Sequence, residues 1–229
     1  MKLSILIPAF NEEDTIRQSI QGVLDTDFSP LSREIIVVDD ASTDKTREIV
    51  ESFGDCVHLV RHDRNRGKGA AIRTALAGAS GDVVVIHDAD LEYDPKDLPA
   101  LVKPITDGGS IAAFGSRFMS CSRPDGMKTQ NLIANRILTV TANILYRGKI
   151  TDEATCYKAV RRDVLQAMNL QCARFEFCPE VTAKLMRAGH KIVDVPVWYR
   201  ARTVAEGKKI HWYDGLEAIW TLIRYRVFR

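Results

Sequence analysis

The first 120 residues alternate between short apolar runs and segments whose apolar residues recur every three or four positions. The short runs are typical of buried strands, and the periodic segments are typical of helices with one face on a core. Strands that alternate with amphipathic helices predict parallel β-α-β units, in an α/β fold with a mostly parallel sheet and helices on both faces. The predicted strands cover residues 3–7, 35–38, 57–60 and 83–86.

The pattern changes after residue 120. Residues 120–130 are polar and predict a loop, and residues 132–146 are mostly apolar and predict a long helix. Residues 193–199 predict a strand, and Pro196 within it indicates the edge of the sheet, because proline cannot donate a ladder hydrogen bond. Residues 215–229 predict a terminal amphipathic helix. No repeat or linker divides the chain, so we expect a single domain.

Composition and charge narrow the function classes. The 229 residues include 32 Lys and Arg against 30 Asp and Glu, and this net charge of +2 is too small for a nucleic-acid binder that works by bulk charge. No apolar run is long enough for a membrane-spanning helix, and the N-terminal run is too short for a secretory signal, so we expect a cytoplasmic protein. The five cysteines are scattered without metal-ligand spacing and fit reduced thiols.

Acidic residues follow three of the predicted strands. They lie at residues 12–13 after the first strand, 39–40 after the second and 88–90 after the fourth. Open α/β sheets bind ligands outside the carboxyl ends of their strands, which is where these residues fall. Carboxylates gathered there are costly to bury without a cation or hydrogen-bond donors. The sequence therefore predicts a polar site at this edge.

Asp88 and Asp90 form the most informative pair. If the strand continues that far, both point to one side, because side chains alternate along a strand. Two converging carboxylates repel each other unless a cation lies between them, and Mg²⁺ or Mn²⁺ is the natural partner for oxygen ligands. Glu92, two residues further on, completes a candidate ligand set. An Asp-X-Asp pair is weak evidence alone, and its place directly after an apolar strand strengthens the metal hypothesis.

Two familiar nucleotide-binding motifs are absent from the sequence. No G-x-G-x-x-G follows a strand, and no GxxxxGK[ST] occurs. The basic, glycine-rich segment at residues 64–71, RNRGKGAA, fits neither spacing. It is equally consistent with a flexible turn and with a phosphate contact.

Four segments taken in order resemble the family 2 glycosyltransferases, which have the Rossmann-like GT-A fold: SILIPAFNEEDTI, IIVVDDASTDKT, NRGKGAAIRTAL and GDVVVIHDADLEYDP. Later segments are similar to dolichol-phosphate mannose synthases and related polyprenyl-phosphate glycosyltransferases: GSRF, TDEATCYKAVRRDVL, FEFCPEVTAKLMRAG and VPVWYRAR. The resemblance covers about residues 3–212. It implies one domain over 1–229, in which 1–120 bind the nucleotide sugar and 121–229 bind the acceptor.

The resemblance also implies a role for each matching position. The donor-binding residues would be Pro8, Phe10, Glu12, Val38, Asp40, Asp88, Ala89, Asp90, Arg117, Arg202 and Lys208. The metal ligands, for Mg²⁺ or Mn²⁺, would be Asp88, Asp90 and Glu92. The catalytic residues would be Asp90, Arg117 and Arg136.

The chain departs from the family pattern at four places. Relatives often have Tyr at the position of Phe10 and Gln at the position of Glu92. The segment after Arg202 is longer than the usual one, so either Lys208 or Lys209 matches the lysine that binds the diphosphate, and we favour Lys208. Residues 156–157 are Cys-Tyr where lipid-phosphate synthases usually have Gly-Phe, and we expect the tyrosine to keep the packing role.

The implied reaction is inverting transfer of a hexose from a nucleotide sugar to a polyprenyl or dolichyl phosphate. GDP-mannose is the favoured donor and UDP-glucose the next. A phosphate monoester has a second pKa near ~6 and arrives ionised, so it needs cations to position it and no base. Arg117 and Arg136 are the candidate cations.

Two alternatives stay open. One is a soluble family 2 enzyme that glycosylates a glycan or saccharide, whose hydroxyl would need a base. Relatives of that kind place a carboxylate near the position of Glu180. The other is a non-catalytic module that binds nucleotide sugars.

The terminal segment is the candidate membrane contact. Residues 198–229 contain seven Lys or Arg and three Asp or Glu, a net charge of +4, with aromatic residues between them. Amphipathic helices of this kind lie at the surface of anionic membranes. A helix that closes the core explains the pattern equally well. On the membrane reading, we expect a peripheral protein on the cytoplasmic face, with a membrane-anchoring partner protein as one route for delivery of the lipid.

Overall fold

The computed structural model describes residues 1–203 and 212–228. The strands are β1 (Lys2–Ala9), β2 (Ser32–Asp39), β3 (His58–Arg61), β4 (Val83–Ile86), β5 (Ala112–Ser116), β6 (Lys158–Arg161) and β7 (Ile192–Pro196). The α-helices are α1 (Ile16–Asp25), α2 (Thr46–Glu51), α3 (Lys68–Gly78), α4 (Leu98–Thr106), α5 (Thr129–Tyr146), α6 (Arg162–Ala167), α7 (Phe177–Arg187) and α8 (Trp212–Val227).

The seven strands form one sheet in the order β3-β2-β1-β4-β6-β5-β7. The pairs β1–β2, β1–β4, β2–β3 and β5–β7 are parallel, while β6 runs antiparallel to both of its neighbours. All four residues of β4 are buried, as the continuous apolar run predicts for a central strand covered on both faces. The expected α/β fold with a mostly parallel sheet is therefore confirmed.

The winding of the chain reverses at the centre of the sheet. From β1 it proceeds outward through β2 to β3, and α3 then carries it back over β1 and β2 to β4 on the other side. Right-handed crossovers in opposite directions place α1 and α3 on opposite faces. The point of reversal lies between β1 and β4, where open α/β sheets leave a crevice at the carboxyl ends of the strands.

The later part of the chain forms a smaller apolar cluster between α5, α7 and α8, with Leu138, Ala142, Ala183 and Leu222 at its centre. The predicted long helix is α5, and the predicted terminal helix is α8. The predicted strand with Pro196 is β7, which lies at the edge of the sheet as expected. Within residues 1–203 and 212–228, no helix is long and apolar enough to span a bilayer.

Glu34 connects the amino ends of β1 and β2 to the segment before β4, at the end of the strands opposite to the crevice. Its carboxylate accepts hydrogen bonds from Lys2 Nζ at 2.7 Å, Ser80 N at 2.7 Å and Ser80 Oγ at 2.8 Å. Burial by itself raises the pKa of Glu34, but these bonds and one from Ser4 outweigh it and lower the pKa to about 2. The carboxylate therefore stabilises the fold above the unfolded pKa of 4.5, and this contribution is lost as the pH falls from 4.5 toward 2.

We expect Glu34→Gln to lower the free energy of unfolding by about 2 kcal/mol at pH 7 and by less than half of that at pH 3. Urea unfolding at both pH values measures the difference. Glu51→Gln is the control, since its pair with Arg47 is exposed and contributes little. An equal loss at pH 7 and pH 3 would contradict the account.

Candidate active site

The carboxyl ends of β1, β2 and β4 bring the predicted acidic residues to one edge. β4 ends at Ile86, so Asp88 and Asp90 do not lie on the strand, and the alternation argument does not apply to them. They lie instead in the turn that follows the strand. Their proximity shows in the pKa of Asp90, which the charge of Asp88 raises.

Asp90 is a mostly buried carboxyl group with charged neighbours. Burial raises its pKa, the charges of Asp88 and Glu92 raise it further, and Arg202 only partly offsets them, which leaves the pKa at about 7. Asp90 Oδ2 accepts a hydrogen bond from Arg202 Nη2 at 3.0 Å, and Oδ1 accepts one from Glu92 N at 3.1 Å. Because negative charge surrounds the Asp90 carboxyl group, a further cation nearby would stabilise its ionised form.

Arg202 joins the later part of the chain to the ends of β1 and β4. Its Nη1 donates to Glu12 Oε2 at 3.1 Å, its Nη2 donates to Asp90, and its backbone N donates to Glu92 Oε1 at 2.7 Å. The structure thus brings together Glu12, Asp90 and Arg202, which are far apart in sequence and were predicted to share a site. Lys208, predicted to help Arg202, lies outside the described residues.

Glu92, the third predicted metal ligand, has hydrogen-bond partners on segment 199–202, and its role as a ligand stays a prediction. The Glu92 carboxylate accepts hydrogen bonds from Tyr199 Oη at 2.9 Å and from Arg202 N, so it fastens segment 199–202 to the site. Among the described residues, no three His, Cys, Asp or Glu side chains are grouped as metal ligands. Asp88 and Asp90 remain, and they fit Mg²⁺ or Mn²⁺, because such ions commonly take one or two protein carboxylates and complete their shell with substrate phosphates and water.

Lys68, the first residue of α3, is a site residue that the sequence did not single out. Its Nζ lies 2.7 Å from Asp88 Oδ2, and the side chain is mostly buried. Burial lowers the pKa of Lys68, but the charge of Asp88 outweighs it and raises the pKa well above the usual value. The glycine-rich segment carried the signal, and the structure places its lysine at the site.

Asp40 holds that segment in place. Its carboxylate accepts hydrogen bonds from His62 Nδ1 at 2.6 Å, Arg66 N at 2.9 Å and Gly67 N at 2.8 Å. All three partners belong to the loop that precedes α3. The structure therefore shows Asp40 as the anchor of this loop, and a direct contact with the donor stays a prediction.

The remaining predicted donor residues line the ends of β1, β2 and β4. Pro8 and Val38 are register partners on β1 and β2, Phe10 directly follows β1, and Ala89 lies three residues after the end of β4. Asp39, next to Asp40, is buried. Its Oδ1 accepts from Ser42 N at 3.0 Å, while its Oδ2 has no hydrogen-bond partner in residues 1–203 or 212–228. Asp39 Oδ2 lies 3.8 Å from Arg61 Nε, so Arg61 is the charge partner of this buried carboxylate beside the predicted base pocket.

The guanidinium groups of Arg117 and Arg136 both lie near the Phe118 ring. The Arg136 guanidinium lies 4.2 Å from the centre of the Phe118 ring, and that of Arg117 lies 5.6 Å from it. Arg117 is buried, and its Nε and Nη2 donate to Asp152 at 2.6 and 2.7 Å. A buried guanidinium requires such a partner. Arg136, in contrast, is exposed.

Glu180, the candidate base of the glycan alternative, does not face the site. It is fully buried and accepts hydrogen bonds from Lys184 Nζ, Tyr225 Oη, and the backbone N–H groups of Gln171 and Cys172. Burial raises its pKa, but these bonds outweigh it and lower the pKa. Glu180 is therefore an ionised anchor between α7 and α8, and the hypothesis that it is a base is wrong for this geometry.

His87 directly precedes the turn that carries Asp88 and Asp90, which we call the acidic turn. Its Nε2 lies 3.0 Å from Ser19 Oγ and its Nδ1 lies 2.9 Å from Tyr157 Oη. Burial lowers the pKa of His87 to about 4, so the ring is neutral at pH 7. Tyr157 also stacks on Tyr93 at 4.5 Å between ring centres, so it packs as the sequence predicted.

The family model described as "Glycosyl transferase family 2" matches residues 4–168. The chain belongs to glycosyl transferase family 2. The match contains β1 to β6, and thus the turn with Asp88 and Asp90 and the loop with Lys68.

Two relatives in this family act on lipid phosphates according to their names. The chain is 30% identical over 233 residues to the dolichol-phosphate mannosyltransferase of Pyrococcus furiosus. The alignment covers 98% of this chain and 64% of that protein. It is 29% identical over 217 residues to the undecaprenyl-phosphate 4-deoxy-4-formamido-L-arabinose transferase of Klebsiella pneumoniae, with 90% and 62% covered. The chain thus spans less than two thirds of both relatives.

Solved structures show the same fold. Glucosyl-3-phosphoglycerate synthase from Mycobacterium tuberculosis, in complex with UDP, superposes with a TM-score of 0.75 at 23% identity, over 100% of this chain and 81% of that one. A complex of the same enzyme with Mn²⁺, UDP and phosphoglyceric acid has a TM-score of 0.74 at 24% identity, over 100% and 79%. The fold of this chain is therefore GT-A.

Proposed function

We propose that the protein transfers a hexose from a nucleotide sugar to a polyprenyl phosphate, with inversion, at a membrane surface. The observation that carries the proposal is the group of Asp88, Asp90, Lys68 and Arg202 at the crevice between β1 and β4. GDP-mannose is the first candidate donor and UDP-glucose the second. The names of the two lipid-phosphate transferases support the acceptor class.

The acidic turn would hold the divalent ion, with Asp88 and Asp90 as its protein ligands. Bound there, Mg²⁺ or Mn²⁺ would act as a Lewis acid toward the departing nucleoside diphosphate. Lys68 Nζ lies 2.7 Å from the Asp88 carboxylate, and Arg202 Nη2 lies 3.0 Å from the Asp90 carboxylate. They place fixed positive charge where negative charge grows on the leaving group, which is the arrangement that lowers a barrier most effectively.

The acceptor side favours a phosphate over a sugar hydroxyl. Transfer to a hydroxyl needs a base, and Glu180 is fully engaged elsewhere, whereas an ionised phosphate needs only cations. Arg136 offers an exposed guanidinium 4.2 Å from the centre of the Phe118 ring, and the Arg117 guanidinium lies 5.6 Å from the same centre. We propose that Arg136 contacts the acceptor phosphate and that Arg117 stiffens the wall behind it.

A stripe of exposed apolar residues on α5 supports a membrane contact. Ile133, Ile137, Val140 and Ile144 recur at helical spacing, and each keeps between 51% and 73% of its surface exposed. On α8, which packs against α5, Leu216, Trp220 and Val227 are also more than half exposed. Single exposed apolar residues are ordinary, but a continuous stripe of this length marks an interaction surface.

The charge around the stripe indicates which surface it meets. Residues 126–151, which contain α5, include Lys128, Arg136, Arg147 and Lys149 and no Asp or Glu. A basic, apolar helix of this kind suits an anionic bilayer. The sequence placed the membrane contact on the terminal helix, and we propose that α5 and α8 share it.

We expect the double variant Ile137→Glu/Ile144→Glu to bind anionic phospholipid vesicles at least tenfold more weakly than the wild type. Each isoleucine side chain that the bilayer buries contributes about 1.5–3 kcal/mol to binding. The glutamates lose this contribution, and their charges are repelled by the anionic lipid. Co-sedimentation with vesicles measures the change. Val193→Glu, an exposed apolar position on β7, is the matched control and should bind as the wild type does. Equal binding by the double variant would remove α5 from the membrane contact.

The proposed activity is tested with a panel of GDP- and UDP-sugars, Mn²⁺ or Mg²⁺, and a short polyprenyl phosphate as acceptor. Formation of a prenyl-phosphate sugar supports the proposal. Glycosylation of a saccharide with no transfer to the prenyl phosphate would favour the soluble enzyme. Tight binding of GDP or UDP with transfer to no acceptor would favour the binding module.

A further inference from the structure

Glu180 connects the terminal helix to a segment that the reaction does not use directly, residues 170–173. Tyr225 Oη, on α8, donates to Glu180 Oε1 at 2.7 Å. The same carboxylate accepts the backbone N–H groups of Gln171 at 2.8 Å and Cys172 at 2.7 Å. A single buried, ionised side chain therefore fixes both α8 and segment 170–173.

The other side of segment 170–173 lies against the glycine-rich loop. Ala70 N donates to Ala173 O at 2.9 Å, and Arg73 Nη1 donates to Leu170 O at 3.1 Å and to Gln171 O at 2.8 Å. The first of these bonds joins backbone to backbone, and the other two come from the Arg73 side chain on α3. A Cβ atom on Gly67, whose φ is 92°, would lie 2.5 Å from Ala173 O.

The glycine-rich loop in turn sets the position of Lys68. The N–H groups of Arg66 and Gly67 are bound by Asp40, and Lys68 follows directly at the start of α3, with its Nζ on Asp88. Because the contacts are close-packed on both sides, a shift of segment 170–173 requires a shift of this loop.

We propose that Glu180 is a positioning residue that couples the docking of α8 to the placement of Lys68 beside Asp88. The inference rests on the proposed function only in that Lys68 serves the donor. It gives α8 a second task besides contact with a membrane, because any change in the seating of the helix reaches the donor loop through the Glu180 carboxylate. The alternative is that Glu180 only holds the fold together, in which case its loss loosens the whole domain.

Hydrogen exchange of the full chain separates the two alternatives. We expect Tyr225→Phe, which removes one hydrogen bond to Glu180, to speed amide exchange at least threefold in residues 170–173 and in residues 67–71, with no change in β1, β2 and β4. Glu217→Gln, at an exposed position on the same helix, is the control. Glu180→Gln should give the same pattern with a larger effect. Faster exchange in 170–173 with none in 67–71, or a uniform increase across the sheet, would overturn the proposal.

Nucleotide binding provides a second readout. With Mn²⁺ present, calorimetric titration should show GDP or UDP binding threefold to tenfold more weakly to Tyr225→Phe than to the wild type and to Glu217→Gln. An unchanged affinity would overturn the coupling. If the wild type bound neither nucleotide, the proposed function would fall, while the exchange pattern would still decide the coupling.

Discussion

We expect Asp90→Asn to lower kcat about 10²–10³-fold in the transfer assay, with both donor and acceptor saturating. The substitution keeps the size of the side chain and removes the negative charge that would hold the divalent ion near the leaving diphosphate. Loss of one group that stabilises charge in the transition state has an effect of this size. The same variant should lose the dependence of nucleotide affinity on Mn²⁺, which a calorimetric titration with and without the ion measures.

Asp14→Asn is the control for this experiment. Asp14 also follows β1 but is exposed, and we expect its replacement to leave kcat within about twofold. If Asp90→Asn kept its full rate and its response to Mn²⁺, the acidic turn would not be the metal site.

The largest expected loss of stability comes from Asp152→Asn. The Asp152 carboxylate accepts three hydrogen bonds from Arg117, from N at 3.0 Å, Nε at 2.6 Å and Nη2 at 2.7 Å, and both side chains are buried. Removing one partner of a buried ion pair leaves a charge without compensation and costs about 3–5 kcal/mol. Urea unfolding followed by circular dichroism measures this loss.

The chain offers a matched pair on its surface. Arg161 and Asp163 make the same bidentate contact, at 3.2 and 2.6 Å, but both are exposed. Asp163→Asn should cost no more than about 1 kcal/mol, because solvent screens the pair. Similar losses of unfolding free energy in Asp152→Asn and Asp163→Asn would show that burial does not increase the effect of breaking the Arg117–Asp152 pair.

Hydrophobic patterning was sufficient for the first half of the fold. β1 to β4 contain short apolar runs and their helices have clear periodicity, so their presence and parallel pairing followed from local sequence, whereas their order in the sheet was not predicted. β5 and β6 were not predicted, because Ala112–Ser116 and Lys158–Arg161 are short and carry no distinctive pattern. The antiparallel direction of β6 depends on contacts with strands that are distant in sequence.

The same division holds for the site. The acidic ends of β1 and β4 were predictable, since topology alone places them together. The hydrogen-bond partners of Glu92 and Glu180 were not predictable. Tyr199 lies 107 residues from Glu92, and Tyr225 lies 45 residues from Glu180. Lys68 stayed ambiguous for the same reason, since only the folded chain brings its ammonium group onto Asp88.

Exposure was the other quantity that sequence did not provide. The apolar composition of α5 predicted a helix, and one face of that helix packs on α7 and α8. The stripe from Ile133 to Ile144 faces away from these helices, and this orientation follows from packing against partners far along the chain.

The most direct test of the central claim is a crystal structure of the protein with Mn²⁺ and GDP or UDP, with the ion located by its anomalous scattering. The account predicts an anomalous peak at the Asp88 and Asp90 carboxylates, with the diphosphate between that peak and the Lys68 and Arg202 side chains. A manganese peak remote from this turn, or a nucleotide bound away from the carboxyl ends of β1 and β4, would contradict it.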